Sequence, residues 1–271
     1  FDIEDIDELE IVQLLKTVIE KKKYYRMADG SFLSLKEGEF DEIGQLLYEL
    51  GVRKTDIAAG KPLQLPAVRA LQLEDETRQV SSIKIGKALR HFIERLQHPE
   101  QFDFEIPKEM EGILRDYQKE GFQWFRTLHE YQFGGILADD MGLGKTLQSI
   151  TYIWSEKLRA ESNGKPSLVI APAALVYNWK NEFAKFAPGL KTEVVTGTKA
   201  ERKEKLARAT DYDVLITSYP LIRRDAKTYL GLSFGILILD EAQAIKNAST
   251  QTAQAVKTIL SERRFALTGT P

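Results

Sequence analysis

An apolar segment that leads directly into a glycine-rich segment constrains the fold of this chain more than any other feature. Residues 134–138 read Gly-Gly-Ile-Leu-Ala, and residues 139–146 read Asp-Asp-Met-Gly-Leu-Gly-Lys-Thr. The pattern predicts a strand, a tight turn and then a helix, which is the arrangement of a phosphate-binding loop. Glycine at 142 and 144 lets the backbone approach a polyphosphate and direct its N–H groups inward.

The side chains that follow the glycines fit the same interpretation. Lys145 can reach the β- and γ-phosphates, and the Thr146 hydroxyl can ligate Mg²⁺. The strict phosphate-loop pattern has glycine at the position of Asp139, and Gly-Lys-Thr alone is common. The assignment therefore needs support from a second site.

A second site follows another apolar run. Residues 236–239 read Ile-Leu-Ile-Leu and are followed by Asp240 and Glu241. A carboxylate at the end of a buried strand is the group that holds Mg²⁺ beside a phosphate loop, so Asp240 is predicted to hold the ion. Glu241 is predicted to orient or deprotonate the water that attacks the γ-phosphate. The alternative is that these two carboxylates only cap the next helix.

From residue 114 onward, helical patterns alternate with short apolar runs. The runs lie near 134–138, 167–171, 192–196, 213–218, 234–239 and 264–268. Most show no polar alternation, which is typical of parallel strands buried on both faces. Such sheets bind ligands at the carboxyl ends of their strands. We therefore expect an α/β fold over residues 106–271, with a mostly parallel central sheet and a phosphate-binding loop.

Residues 1–105 are predicted to form a smaller α+β region. Apolar residues at helical spacing predict a helix over 11–19, further helices are expected over 39–50 and 78–96, and a hairpin is expected around the turn at 28–30. Residues 99–107 contain two prolines and are interpreted as a connector. This part has a net charge of −6, whereas residues 106–271 have +4, a weak indication of a polyanionic partner for the second part. The lysines at 21–23 are interpreted as a solvated helix end.

Composition excludes several classes of protein. The chain contains no cysteine, which excludes disulfides and cysteine-ligated zinc in this segment. Its three histidines, His91, His98 and His129, lack the spacing of metal ligands and are expected to be structural or exposed. Apolar runs long enough to span a membrane and a signal-peptide pattern are both missing, so we expect a cytoplasmic protein, nucleoid-associated if bacterial. Because the chain begins at Phe1, we expect it to be a fragment.

Six segments in order resemble the motifs of Swi/Snf-type ATPases, a group within helicase superfamily two. Residues 114–121 resemble the adenine-reading Q motif, and residues 138–146 resemble a form of motif I in which an acidic residue replaces the first glycine. Four more segments are similar to motifs of this group: residues 168–172 and 176–179 resemble motif Ia, residues 214–219 motif Ib, residues 239–247 motif II with its Asp-Glu-Ala-Gln box, and residues 267–271 motif III. The first 105 residues resemble the accessory segment of bacterial members. The resemblance implies a RecA-like first motor lobe over 106–271.

The resemblance also implies roles for individual residues. It implies an ATP site formed by Arg115, Gln118, Asp139, Asp140, Met141, Gly142, Leu143, Gly144, Lys145, Thr146 and Leu147. Within this set Gln118 would select adenine, a surface glutamine being the alternative. Lys145 and Glu241 would be catalytic, Thr146 and Asp240 would hold Mg²⁺, and Thr268, Gly269 and Thr270 would couple the state of the γ-phosphate to movement.

The DNA-binding side is implied by motifs Ia and Ib, which touch the phosphate backbone of duplex DNA in relatives. Here they point to Pro172, Lys180, Gly197, Thr198, Ser218 and Tyr219. Trp179 lies at helical spacing from other apolar residues, so core packing is favoured over stacking. Residues 199–208 alternate in charge along a helix and are expected to be a solvated face.

The resemblance implies the first motor lobe of a DNA-stimulated ATPase that uses ATP and Mg²⁺, translocates on double-stranded DNA and remodels protein–DNA complexes. Its expected partners are double-stranded DNA, a second RecA-like lobe of the same full-length chain, and as further candidates a DNA-bound protein or RNA polymerase; no membrane is expected. Since the arginine finger of the second lobe would lie beyond Pro271, this segment alone is expected to be nearly inactive. The alternatives are an RNA-directed helicase of the same superfamily and a nucleotide-dependent interaction module without turnover.

Overall fold

The computed structural model describes residues 7–35, 39–58, 69, 86–98, 104–140, 142–159 and 164–270. The chain divides into two compact units, Phe1–Gln97 and His98–Pro271. Each unit has its own hydrophobic clusters and is described by itself.

The first unit combines helices with one small hairpin. Its elements are helix α1 (Glu8–Ile19), strands β1 (Tyr24–Arg26) and β2 (Phe32–Ser34), helix α2 (Glu39–Glu49), a 3-10 turn (Lys54–Asp56) and helix α3 (Lys87–Gln97). The hairpin is antiparallel, and its turn uses Gly30 at φ +89° and the Asp29 carboxylate, which accepts hydrogen bonds from the Ser31 amide and hydroxyl. The predicted helices at 11–19 and 39–50 and the hairpin are confirmed. Of the helix predicted over 78–96, residues 78–85 lie outside the described part.

The second unit is a layered α/β structure. Its helices are α4 (Lys108–Glu111), α5 (Asp116–Glu130), α6 (Lys145–Leu158), α7 (Val176–Phe186), α8 (Lys199–Ala207), α9 (Tyr219–Tyr229) and α10 (Gln251–Lys257). Its strands are β3 (Gly135–Leu137), β4 (Ser167–Ala171), β5 (Thr192–Val194), β6 (Val214–Ser218), β7 (Ser233–Leu239) and β8 (Leu260–Leu267). The six strands form one sheet in the order β3-β8-β7-β4-β6-β5, and each neighbouring pair is parallel. The α/β fold with a parallel central sheet is therefore confirmed.

The largest difference between a predicted and an observed strand boundary is at the start of β8. Strand β8 begins at Leu260, four residues earlier than the apolar run suggests, because the polar stretch before Phe265 already pairs with β7. The register aligns Leu260 with Ser233 and Arg263 with Ile236. This end of the sheet is partly exposed, so its residues need not be apolar.

Strand β4 shows why the strands are apolar on both faces. Val169 and Ala171 pack into a cluster with helices α5, α6 and α7, whereas Leu168 and Ile170 pack into the cluster on the opposite face. The alternation follows from the two-residue period of a strand. Helices cover both faces, and the carboxyl edge of the sheet is where loops can gather functional side chains.

The strand order divides this carboxyl edge into two halves. The segments after β3, β8 and β7 contain the predicted phosphate loop, the predicted coupling residues and the two predicted carboxylates, and β3, β8 and β7 are consecutive in the sheet. The segments after β4, β6 and β5 contain the residues predicted to contact DNA, and these strands are also consecutive. The boundary between the two halves lies between β7 and β4.

Among the residues that the structure describes, none of the helices combines the length and apolar character required to cross a bilayer. The same residues contain no cluster of three or more histidine or acidic side chains arranged to hold a metal ion.

Candidate nucleotide-binding site

The phosphate-loop segment connects β3 to the start of α6. Gly142 and Gly144 have φ values of +86° and +77°, in the left-handed region that favours glycine, and helix α6 begins directly afterwards at Lys145. The free backbone N–H groups of a helix start favour an anion. Lys145 Nζ donates to the carbonyl oxygens of Asp139 and Asp140, at 2.7 and 2.9 Å. A phosphate that binds this ammonium would compete with these two carbonyls.

The remaining loop residues lie around the same turn. Asp140 and Gly142 are exposed, whereas Asp139, Leu143, Thr146 and Leu147 are partly buried. Met141 lies outside the described residues. The loop and the first turn of α6 thus bring the predicted nucleotide-binding residues from 139 to 147 together, apart from Met141.

The glutamine of the Q-motif segment is buried against this loop. Gln118 Nε2 donates to the carbonyl of Leu143 at 3.1 Å, and its Oε1 accepts from the backbone N–H of Arg115 at 3.0 Å. Gln118 is only 6% exposed, so the alternative of a surface glutamine is wrong. Arg115 is exposed at the start of α5. Helix α5 is therefore tied to the phosphate loop through one amide side chain.

Asp240 lies at the end of β7 and is 8% exposed. Its Oδ2 accepts a hydrogen bond from Trp179 Nε1 at 2.8 Å, and its Oδ1 accepts from the Glu241 backbone N–H at 3.0 Å. Burial raises the pKa of the Asp240 carboxyl above its usual value, while the hydrogen bond from Trp179 acts in the opposite direction. A buried carboxylate at this edge fits Mg²⁺, which uses few protein oxygens and keeps part of its water shell.

Glu241 begins a hydrogen-bonded chain that reaches the segment after β8. Glu241 has φ +49°, an uncommon backbone conformation for a residue other than glycine. Gln243 Nε2 donates to Glu241 Oε2 at 2.6 Å, and Thr268 Oγ1 donates to Gln243 Oε1 at 3.0 Å. The Thr270 backbone N–H donates to Thr268 Oγ1 at 3.0 Å. The alternative in which Asp240 and Glu241 serve only as helix caps does not account for these contacts.

The residues predicted to contact DNA fall into two groups. Lys180, Gly197 and Thr198 are exposed and Pro172 is partly exposed. Ser218 and Tyr219 are 4% and 5% exposed.

The position of Tyr219 does not support a DNA contact through its side chain. Tyr219 Oη donates to the backbone carbonyl of Asp240 at 2.7 Å, and burial raises the pKa of this phenol. The Ser218 side chain is buried as well, so any contact here would be limited to the backbone. The physical reason is that Ser218 is the last residue of β6, whose five residues are all buried, and Tyr219 follows it directly.

Two residues at the site were not identified from sequence as site residues, and a third, Tyr219, was predicted to contact DNA and not the acidic segment. Trp179 was expected to pack in the core, which its 1% exposure confirms, but its hydrogen bond to Asp240 was not anticipated. Gln243 and Tyr219 likewise form contacts to the acidic segment that local pattern does not reveal. For Gln243 the available signal was its position two residues after Glu241. Trp179 and Tyr219 gave no such signal, because their partner Asp240 is distant in sequence.

Helix α8 also differs from expectation at one residue. Most of its charged residues are exposed as predicted, but Arg202 is 2% exposed and forms a bidentate pair with Asp225, at 2.5 and 2.8 Å. Arg202 Nη1 also donates to the carbonyl of Gly197 at 2.6 Å. The pair therefore anchors the turn at Gly197 and Thr198 from inside the unit.

Comparison with known proteins identifies two sequence families along the chain. Residues 117–271 match the profile of the SNF2-related domain, and residues 1–107 match the profile described as bacterial SNF2 helicase associated. The chain is 43% identical over 175 residues to an uncharacterized ATP-dependent helicase of Mycoplasma pneumoniae, covering 65% of this chain and 17% of that protein. It is 39% identical over 193 residues to TATA-binding protein-associated factor MOT1 of Saccharomyces cerevisiae, covering 67% of this chain and 10% of that protein.

A solved structure is also similar to this chain. The Sulfolobus solfataricus SWI2/SNF2 ATPase core in complex with dsDNA is 40% identical, with a TM-score of 0.56, over 63% of this chain and 35% of that chain. The chain thus spans about a third of that solved core and a sixth or less of the two curated relatives.

Proposed function

This chain belongs to the SNF2-related family of ATP-dependent helicases, and from that premise we propose that residues 106–271 are the first motor lobe of a DNA-stimulated ATPase. The proposed protein binds Mg-ATP, translocates on double-stranded DNA and remodels protein–DNA complexes. Residues 1–105 are proposed to be the accessory region found with bacterial members. The dsDNA in the structure of the Sulfolobus solfataricus relative supports DNA as the partner.

One observation carries the proposal: three consecutive strands present a phosphate loop, a hydroxyl and two carboxylates at one edge. The loop follows β3, Thr268 follows β8, and Asp240 with Glu241 follow β7. Gln243 bridges the second and third of these segments through Thr268 and Glu241. A site of this kind can hold a triphosphate and sense the loss of its γ-phosphate.

The roles of the residues follow from their chemistry. The loop N–H groups and Lys145 would hold the phosphates, and Thr146 and Asp240 would hold Mg²⁺. Mg²⁺ held there would supply positive charge to neutralise the phosphate oxygens. Glu241 would accept a proton from, or orient, the attacking water.

The contacts of Gln243 suggest how turnover is linked to movement. The Gln243 side-chain amide donates a hydrogen bond to the Glu241 carboxylate and accepts one from Thr268, which precedes Gly269 and Thr270 in the same segment. A shift of that segment on hydrolysis would release Gln243 and then Glu241. On the outer side, Pro172, Lys180, Gly197 and Thr198 are proposed to contact the DNA backbone, which fixes position without reading sequence.

The test uses the full-length protein with Glu241→Gln and, as a matched control, Glu204→Gln on the exposed face of α8. We expect Glu241→Gln to lower dsDNA-stimulated turnover about 10²–10⁴-fold, the usual contribution of a general base, while ATP binding persists. Glu204→Gln should change neither quantity. Lys145→Ala, in contrast, should weaken ATP binding itself.

The alternatives give different results in the same assay. Stimulation by RNA alone, with none by double-stranded DNA, would indicate an RNA-directed helicase. An interaction module that senses ATP without turnover would show the same ATP binding in Glu241→Gln and no measurable hydrolysis in the unaltered protein. Either result would refute the proposal of a DNA motor.

A further inference from the structure

Among the described residues, two side-chain hydrogen bonds to Asp240 cross the boundary between the two halves of the carboxyl edge, one to its backbone carbonyl from Tyr219 and one to its carboxylate from Trp179. Asp240 follows β7, the last strand of the nucleotide half, and helix α7 follows β4, the first strand of the other half. Trp179, on α7, reaches across this boundary and donates its indole N–H to Asp240 Oδ2 at 2.8 Å. The contact joins residues 61 positions apart in sequence.

Asp240 is held at several points, and Trp179 is the side chain that contacts the carboxylate. The Asp240 backbone N–H donates to Ile170 O at 2.8 Å and its carbonyl accepts from Tyr219 Oη at 2.7 Å, so the main chain is fixed from β4 and from the first residue of α9. One carboxylate oxygen accepts from the Glu241 N–H and the other from Trp179. An indole N–H is only a donor, and the Trp179 ring is 1% exposed, so its direction is set by packing.

The same helix presents its other side to the solvent. Lys180, adjacent to Trp179, is exposed, and Tyr177 is 59% exposed with its hydroxyl 3.4 Å from Thr196 Oγ1. The turn of Gly197 follows directly. Helix α7 therefore has an inner side that contacts Asp240 and an outer side at the surface proposed to contact DNA.

We propose that Trp179 is a positioning residue that sets the direction of the Asp240 carboxylate and transmits DNA contact at helix α7 to the Mg²⁺ site. The inference rests on the proposed function, because that function assigns Mg²⁺ to Asp240 and DNA to the outer side of α7. Partners that orient a metal-ligating side chain typically change metal affinity about 10–100-fold when removed. A small rotation of α7 on DNA would move the indole and, with it, one oxygen of Asp240.

The chain offers a matched pair of variants. Trp179→Phe removes the indole N–H and keeps an aromatic ring. Trp154→Phe makes the same change at a tryptophan of the same unit that is 8% exposed and whose indole nitrogen has no hydrogen-bond partner among the described residues. If Trp179→Phe does not fold, β-(benzothienyl)alanine at position 179 replaces the N–H by sulfur with nearly unchanged shape, and the same residue at 154 is its control.

Two measurements in the full-length protein test the two parts of the proposal. The first is the Mg²⁺ concentration that gives half-maximal binding of a fluorescent ATP analogue, which we expect to rise at least about tenfold in Trp179→Phe and to stay constant in Trp154→Phe. The second is the stimulation of turnover by a DNA duplex. We expect the maximal stimulation to fall in Trp179→Phe, whereas the duplex concentration for half-maximal stimulation should stay unchanged. General destabilisation of the protein does not produce this combination of results.

The outcomes separate this inference from the proposed function. An unchanged Mg²⁺ requirement in a folded Trp179→Phe protein, or an equal change in Trp154→Phe, overturns the positioning role. A raised Mg²⁺ requirement with full DNA stimulation overturns the coupling to DNA. If the unaltered protein shows no stimulation by DNA, the proposed function fails, and the Mg²⁺ titration alone then decides whether Trp179 positions Asp240.

Discussion

The contact between Gly144 and Gln118 allows the stability of the phosphate loop to be tested with a matched pair of glycines. Gly142 and Gly144 have similar left-handed backbones, at φ +86° and +77°. Among the described residues, a Cβ added at Gly142 would meet no atom within 4 Å, whereas one added at Gly144 would overlap the Gln118 amide nitrogen. The pair therefore separates the cost of the backbone conformation from the cost of displacing Gln118.

The expected magnitudes follow from these two situations. Gly142→Ala places alanine in the left-handed region, which costs about 1–2 kcal/mol of folding free energy. Gly144→Ala has the same cost and also forces Gln118 away from Leu143 O, which leaves a buried amide unsatisfied and adds about 1–3 kcal/mol. For a unit of this size, each kcal/mol lowers Tm by about 2–4 °C.

Thermal unfolding, monitored by tryptophan fluorescence, measures the difference in stability between the two variants in the unit that contains both glycines. The chain has three tryptophans, Trp124, Trp154 and Trp179, and all lie in the unit His98–Pro271. We expect Gly144→Ala to unfold at a lower temperature than Gly142→Ala. Adding Gln118→Ala to Gly144→Ala should cost less than the sum of the two single changes, because the overlapping amide is gone. Equal Tm losses for the two glycine variants, or strict additivity in the double variant, would refute the reasoning.

Two further predictions concern buried charge in the same unit. Asp225→Ala leaves the Arg202 guanidinium buried without its carboxylate and should destabilise the unit by about 3–5 kcal/mol. The control Asp211→Ala breaks the exposed ion pair with Arg208 and should cost about 0–1 kcal/mol. Similar Tm losses for the two variants would contradict this prediction. His129 has a pKa lowered from 6.5 to about 3 by burial and by nearby arginines, Arg263 first, so the folded state favours the neutral ring. This stability is complete above pH 6.5 and is lost as the pH falls from 6.5 toward 3, by at most about 1.4 kcal/mol per pH unit, which is the limit for one proton taken up on unfolding. His129→Gln should therefore show a flatter dependence of Tm on pH between 6.5 and 4.5, and an unchanged slope would show that the ring does not take up a proton on unfolding.

Much of the architecture was predictable because it depends on local pattern. Most of the apolar runs from β3 to β8 have no polar alternation, since both faces of the sheet are covered, and this signal is strong enough to predict a parallel sheet. The start of β8 was misplaced because a partly exposed sheet end does not require apolar residues. The burial of Arg202 within a helix of alternating charges was likewise missed, because its partner Asp225 lies on a different helix.

The candidate site shows the same division. Lys145, Thr146, Asp240 and Glu241 could be named from sequence because a phosphate loop and a carboxylate at a strand end are encoded in short contiguous segments. The bridge from Glu241 through Gln243 to Thr268 depends on β7 and β8 being neighbours, and the order of strands in a sheet is not a property of any one segment.

By itself, then, the sequence determined the type and order of the elements and the chemistry available at each strand end, because these depend on residues close together in the chain. Only the tertiary structure decided which strand ends are adjacent, that Tyr219 faces inward and that the indole of Trp179 meets Asp240. These outcomes depend on packing between segments far apart in sequence, where each side chain takes the direction that satisfies its buried polar atoms. A buried hydrogen bond between distant residues has no local signal, and for that reason the link between the two halves of the sheet edge becomes visible only in the fold.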